Sequence, residues 1–259
     1  MTAAGVPPAL QPVDDLATRT LTPLLVTPVR LPLITCAVCT EPTGGSEYCA
    51  ACRAARNSWP TSLADWVVPL TYASDTATPQ IRNALRQYKD GWDEPTRGAA
   101  FSPLTYLLWQ FLTRHSHCLE AAAGGSIDGY VIVPSGRATP RQGGHPIEGF
   151  APYFPWPRMN IQRVTDAPSR SIAPLSLYVP DDVSGKRILI FDDTWTTGAS
   201  AQGVSAALKR EGAASTVILV LGRWVNSGWT PTQAFFSQRP PRTWSPATCP
   251  VTGGICPGA

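Results

Sequence analysis

With 259 residues, the chain has room for one good-sized domain and a small module. Hydrophobic residues at 43% and charged residues at 15% suit a globular protein with a real core. The net charge of +3 is too mild to argue by itself for a nucleic-acid partner, and no run of about 18 apolar residues is present to span a membrane.

The 27 prolines and 21 glycines gather at the two ends and between residues 134 and 185, where loops are expected. Residues 1–32 are proline-rich and show neither helical nor strand periodicity, so a flexible segment or loose strap is expected there. A signal peptide fits poorly, because no basic stretch precedes the apolar part and Pro23, Pro28, Arg30 and Pro32 interrupt it.

Residues 33–58 carry two C-x-x-C pairs, Cys36 with Cys39 and Cys49 with Cys52, and Pro42, Gly44 and Gly45 lie between them. Such pairs can fold back as two knuckles whose four thiolates converge on Zn²⁺, giving a small zinc-ribbon-like module. A segment this short has almost no core, so metal binding, on the order of 10 kcal/mol, would be its folding energy. Four protein ligands leave no open position, which makes the expected zinc structural. Two disulfides would need an oxidising compartment that nothing in the sequence supports, and a cytoplasmic location is expected.

The main domain is placed at residues 63–225. Residues 66–72 read as a strand in which Pro69 hints at a sheet edge. A helix starts at Pro79 and runs through Ile81, Leu85 and Tyr88. A second spans about residues 100–115, with Pro103 in its first turn and His115, His117 and Cys118 closing it, read as a solvated end with metal ligands as the alternative. Residues 130–133 form a buried strand followed at once by Pro134, Ser135, Gly136 and Arg137, a place for backbone N–H groups to meet an anion. A short helix follows Gly143, Gly144 and His145, residues 151–185 are irregular, and the tail at 226–259 has no periodicity. Cys249 and Cys256 there read as two free cysteines, with a second metal clip or packing against the four-cysteine module as the alternatives.

The densest signal lies at 187–200. An apolar run at 188–191 reads as a fully buried strand of a parallel sheet. Asp192 and Asp193 end it, a bend of hydroxyls and small residues follows, and a helix opens at Ser200 and stops at Gly212 before a strand at 216–221. Ligands in such sheets sit at the carboxyl ends of the strands. Thr196, Thr197, Gly198, Ala199 and Ser200 offer backbone N–H groups at the positive end of a helix, an anion nest suited to a phosphate. Asp192 and Asp193 would repel that phosphate but can accept hydrogen bonds from ribose hydroxyls, at roughly 1.5–3 kcal/mol for each charge-assisted bond. A phosphate-carrying ribose fits both ends.

This stretch resembles the PRPP-binding signature of type I phosphoribosyltransferases: four apolar residues, two acids, then a Thr-Thr-Gly-x-Thr/Ser loop. The four-cysteine module, the helix ending Tyr88-Lys89-Asp90-Gly91 and the signature in that order look like the ComF-type members, over residues 33–225. The resemblance implies an α/β fold with a type I phosphoribosyltransferase-like parallel sheet flanked by helices. It also implies transfer of a phosphoribosyl group from Mg²⁺-bound PRPP with release of pyrophosphate, in nucleotide metabolism.

Under that resemblance Asp192 and Asp193 hold the ribose and magnesium waters, while Thr194, Thr196, Thr197, Gly198, Ala199 and Ser200 hold the 5′-phosphate. Ser135, Gly136 and Arg137, with Arg141 near, take the pyrophosphate, and residues 151–185, which include Arg163 and Arg170, form a hood. The chain departs from the family at Gln142-Gly143-Gly144-His145-Pro146 and at Trp195, so the acceptor is unspecified. Thr196 stands where purine-salvage members carry an acid, and Thr2 follows Met1 where a glutaminase nucleophile would be a cysteine. Neither a 6-oxopurine acceptor nor an amidotransferase activity is therefore expected. The alternative is a non-catalytic PRPP or nucleotide sensor, or a competence-type accessory protein that meets single-stranded DNA or the DNA-uptake machinery.

Overall fold

The computed structural model describes residues 19–136, 145–168, 170–238 and 244–257. Apolar runs without polar alternation are buried only in strands covered on both faces, and such runs supply the centre of the sheet. The strands are β1 (Trp66–Ala73), β2 (Gly129–Ile132), β3 (Gln162–Arg163), β4 (Leu177–Tyr178), β5 (Arg187–Trp195) and β6 (Ser215–Trp224). A four-stranded parallel sheet has the order β1-β6-β5-β2, and β3 with β4 forms a small antiparallel pair. Register is set by matched apolar residues, with Ile190 opposite Ile218 on one side and Val131 on the other.

The helices are α1 (Ala50–Ser58), α2 (Pro79–Asp90), α3 (Glu94–Ala123), α4 (Ala199–Arg210) and α5 (Thr230–Gln238). Alternation along β5 divides the core between the two faces of the sheet. Leu189 and Phe191 join Ile81 and Leu85 of α2 and Leu104 and Leu108 of α3. Ile188 and Ile190 join Val204 and Leu208 of α4, and all four cysteines of residues 36–52 belong to this second cluster. The chain is thus α/β, a parallel sheet flanked by helices on one side and by a helix and the cysteine cluster on the other. No helix among the described residues is long and apolar enough to cross a membrane.

Several elements differ from their expected bounds, each for a local reason. Helix α3 covers 30 residues rather than about 100–115. Its true start is Asp93, whose carboxylate accepts from Thr96 N at 2.8 Å, with Pro95 in the first turn. It ends only at Gly124, in the left-handed region at φ 76°. Pro103 therefore lies inside the helix, and His115 and Cys118 are buried along its length rather than at a solvated end, although His117 is exposed. Helix α5 forms in the tail where no periodicity was legible. The four-cysteine segment is not a pair of matching knuckles: only the first pair lies on a turn, and Cys49 caps α1 with Cys52 inside it.

The edge inference at Pro69 agrees with β1 lying at the margin of the sheet. Its free side is covered by the strap of residues 19–32, in which Leu25 and Val26 are buried. Tyr72 N donates to Val26 O at 3.0 Å, and Val26 N donates to Thr71 Oγ1 at 3.0 Å. A covered edge is less open to pairing with another chain.

Candidate functional site

Strand β5 runs past its apolar core and includes both acids, which decides their roles. Successive residues of a strand point to opposite faces, so Asp192 and Asp193 do not share one. Asp193 is 3% exposed and turns toward α2. There it accepts a hydrogen bond from the Tyr88 hydroxyl and pairs with the Lys89 ammonium. Burial, then the nearby carboxylates, push the Tyr88 phenol up, so it remains a neutral donor. Asp192 is half-buried and accepts from Asp193 N at 2.9 Å. Its pKa is pushed up to about 8, first by burial and then by Asp193, with Lys89 opposing.

The bend after β5 turns on Gly198, at φ 78°, which is the residue before the first turn of α4. Only glycine adopts that conformation freely. Space demands it as well, since a Cβ at Gly198 would land inside the buried Trp195 ring. The large Trp195 is thus the floor on which the bend rests. Thr197 Oγ1 accepts from Ala199 N at 3.4 Å, and Gln202 N donates to Gly198 O at 2.9 Å as α4 begins.

Arg223 of β6, 3% exposed, holds the bend from beneath. One of its nitrogens donates to Trp195 O at 2.9 Å and Thr196 O at 3.0 Å, and also to Trp224 O. The other terminal nitrogen pairs with Glu41 in the four-cysteine segment. Tyr72 Oη makes a second tie, donating to Thr40 O at 2.8 Å. The sequence offered no signal for either tie, because each partner is distant along the chain.

The bend borders two cavities. One of about 440 Å³ is lined by Ala199, Ser200 and Gly203 of α4, by Gly136 after β2, and by Arg163, Arg170 and Ser171 of the irregular region. Val133 N donates to Phe191 O at 2.9 Å, which keeps the loop after β2 beside the end of β5. Arg163 Nε donates to Ser135 O at 2.5 Å and its Nη1 to Ser176 Oγ at 2.6 Å. The second cavity, about 360 Å³, lies between α1 and the bend, with Thr197, Ala199 and Arg170 in its wall. Small residues, hydroxyls, a helix N-terminus and two arginines can hold an anion. Thr196 is exposed, and Thr194 lies apart in a hollow of about 170 Å³ with Arg82 and Arg86. Arg137 and Arg141 fall outside the described residues.

The sulfurs of Cys36, Cys39, Cys49 and Cys52 are all buried and lie within 4.8 Å of one another. Cys39 and Cys49 are 3.7 Å apart, and none of the four is in a disulfide. Tetrahedral ligation with bonds of about 2.3 Å sets sulfurs about 3.8 Å apart, so the cluster can bind a structural zinc ion. Cys36 N donates to Glu41 O at 2.7 Å, and Thr40, at φ 62°, turns the chain within that loop. Cys249 and Cys256 do not join this cluster but gather with His115 and Cys118 in another. In comparisons with known proteins, the chain matches no family model and none of the curated proteins.

Two tests follow from this geometry. Gly198→Ala must both adopt a left-handed backbone and displace Trp195. Urea unfolding is expected to show a loss of about 3 kcal/mol or more, against about 1 kcal/mol for the backbone effect alone. Asp192 supplies a pH test. Between its ordinary 3.8 and its folded value of about 8, the native protein keeps a proton that the unfolded chain releases. Stability is therefore expected to fall as pH rises through that window, with a slope of at most about 1.4 kcal/mol per pH unit. Asp192→Asn should flatten the slope in denaturation curves recorded at pH 5 and pH 8.

Proposed function

We propose that the protein is a phosphoribosyltransferase that binds PRPP with Mg²⁺ and passes its phosphoribosyl group to an acceptor the sequence does not specify. The observation that carries this is the bend at Gly198. It opens α4 onto a cavity of about 440 Å³ lined by Ser200, Arg163 and Arg170, a volume in the range of small-ligand sites. The 5′-phosphate would sit on the N–H groups of 197–200, and the pyrophosphate beside Gly136 and the arginines. The bond from C1 of the ribose to the pyrophosphate oxygen breaks, a bond from C1 to the acceptor nucleophile forms, and pyrophosphate leaves with the electron pair. Position, charge neutralisation and exclusion of water are what the protein supplies.

The donor set is compatible with magnesium, which favours one or two carboxylates together with water and phosphate oxygens. Asp192, in its ionised form, would hold the ion's waters and the ribose hydroxyls, and the ion would supply charge neutralisation for the leaving pyrophosphate. Asp193 would act one step back, fixed by Tyr88 and Lys89. In the four-cysteine module the metal would be zinc, matched to four thiolates.

The capture of Asp193 by Lys89 and Tyr88 favours a second reading, in which the same pocket binds PRPP or a nucleotide without turnover. Titration calorimetry with Mg-PRPP, followed by a pyrophosphate-release assay over a panel of bases and amines, tests both. Binding with release supports the transferase, and binding without release supports the sensor. Asp192→Asn and Ser200→Tyr should each weaken binding roughly tenfold to a hundredfold while leaving the circular-dichroism spectrum unchanged. Unaltered affinity in both variants would overturn the site assignment.

A further inference from the structure

Helix α3 and the C-terminal segment meet at a point that plays no part in the proposed transfer. His115 and Cys118 are three residues apart, so they lie on one face of the helix. Opposite them the chain reverses. Cys249 N donates to Gly254 O at 2.9 Å, Gly253 N donates to Cys249 O at 2.8 Å, and Gly253 has φ 77°. That reversal returns Cys256 to the helix, 3.3 Å from His115 Nδ1. The ligating atoms of all four residues lie within 4.8 Å of one another, and three of the residues are buried.

We propose that His115, Cys118, Cys249 and Cys256 form a second metal centre, of three thiolates and one imidazole, that binds zinc and clasps the C-terminal segment to α3. The histidine is oriented for it. Its Nε2 lies 2.8 Å from Pro246 O, a carbonyl that can only accept, so Nε2 carries the proton. In the neutral ring Nδ1 then carries the lone pair, and it is the nitrogen that faces Cys118 at 3.9 Å and Cys256 at 3.3 Å. A carbonyl fixing the far nitrogen of a ligating histidine is the usual outer-shell arrangement of zinc sites. Three soft sulfurs with an imidazole select zinc over magnesium or calcium, and four protein ligands make the centre structural rather than catalytic. His117, exposed and 3.3 Å from the Cys118 sulfur through Nε2, stands outside the set.

The segment needs such a clasp. In residues 244–257 the large buried apolar side chains are Trp244 and Val251, while Ile255 is exposed. Its other hydrogen bonds to the body include Arg30 Nε donating to Val251 O at 2.7 Å, Trp66 Nε1 donating to the same oxygen at 3.3 Å, and Trp244 N donating to Leu25 O at 3.3 Å. Arg30 also donates to Ala37 O at 3.1 Å, within the first cysteine knuckle. The segment therefore braces the strap and that knuckle as well as α3.

Metal content of the full chain, purified under reducing conditions and equilibrated with zinc, tests the proposal by mass spectrometry. Two zinc ions per chain are expected, one for each cluster, and Cys256→Ser and His115→Ala should each hold one. A single zinc in the wild type, or two retained in both variants, would overturn it. Alkylation of the wild type gives an answer that does not depend on variants folding. Cys118, Cys249 and Cys256 should resist iodoacetamide in the zinc form and react after chelation. Labelling of the half-exposed Cys256 at the same rate with and without zinc would overturn the proposal.

Discussion

A guanidinium taken out of water has to find acceptors for its hydrogens, and the two terminal nitrogens of Arg223 find them in two parts of the molecule at once. Its nitrogens reach the carbonyls of Trp195 and Thr196 in the bend after β5, and the carboxylate of Glu41 beside the cysteine cluster. Removing either partner would leave a buried charge uncompensated, at a cost of roughly 3–5 kcal/mol. The position of the bend is therefore tied to the integrity of a module that contributes nothing to the wall of the larger cavity. With Trp195 packed under Gly198, the bend has a floor and an anchor, and its N–H groups are presented by the fold rather than by a free loop.

The two acids show how strand geometry divides labour. Side by side in sequence, they suggest one shared task, but alternation along β5 sends them to opposite faces. Asp193 joins the α2 side, where Tyr88 and Lys89 use it to hold the end of that helix to the sheet. Asp192 is left half-buried on the other face, where burial and Asp193 raise its pKa to about 8, and it lines neither of the two cavities beside the bend. A pair of adjacent carboxylates thus divides into one ion-paired group and one held, among the described residues, without an ion pair on the opposite face.

What the sequence made legible is local. The apolar runs in β2, β5 and β6 announced buried parallel strands, the Thr-Thr-Gly-Ala-Ser bend announced the start of α4, and paired C-x-x-C spacing announced a converging cluster. What stayed hidden depends on contacts between distant positions or on ambiguous local signals. Tyr88 and Asp193 are 105 positions apart, and His115 and Cys256 are 141 apart, so no spacing rule links them. Helix α3 was expected to start near residue 100 because Pro103 suits a first turn, although the Asp93 cap and the run of buried residues beyond carry the helix through it. Helix α5 escaped because its nine residues lack a charged first or last turn.

The central claim is that the cysteine cluster, through Glu41 and Arg223, holds the bend in the shape that would receive a phosphate. Hydrogen exchange along the chain, followed by mass spectrometry before and after chelation of bound metal, tests it most directly. If the coupling is as described, protection at residues 196–200 falls together with that at residues 36–52. A bend that keeps its protection while the cysteine module exchanges freely would contradict the account.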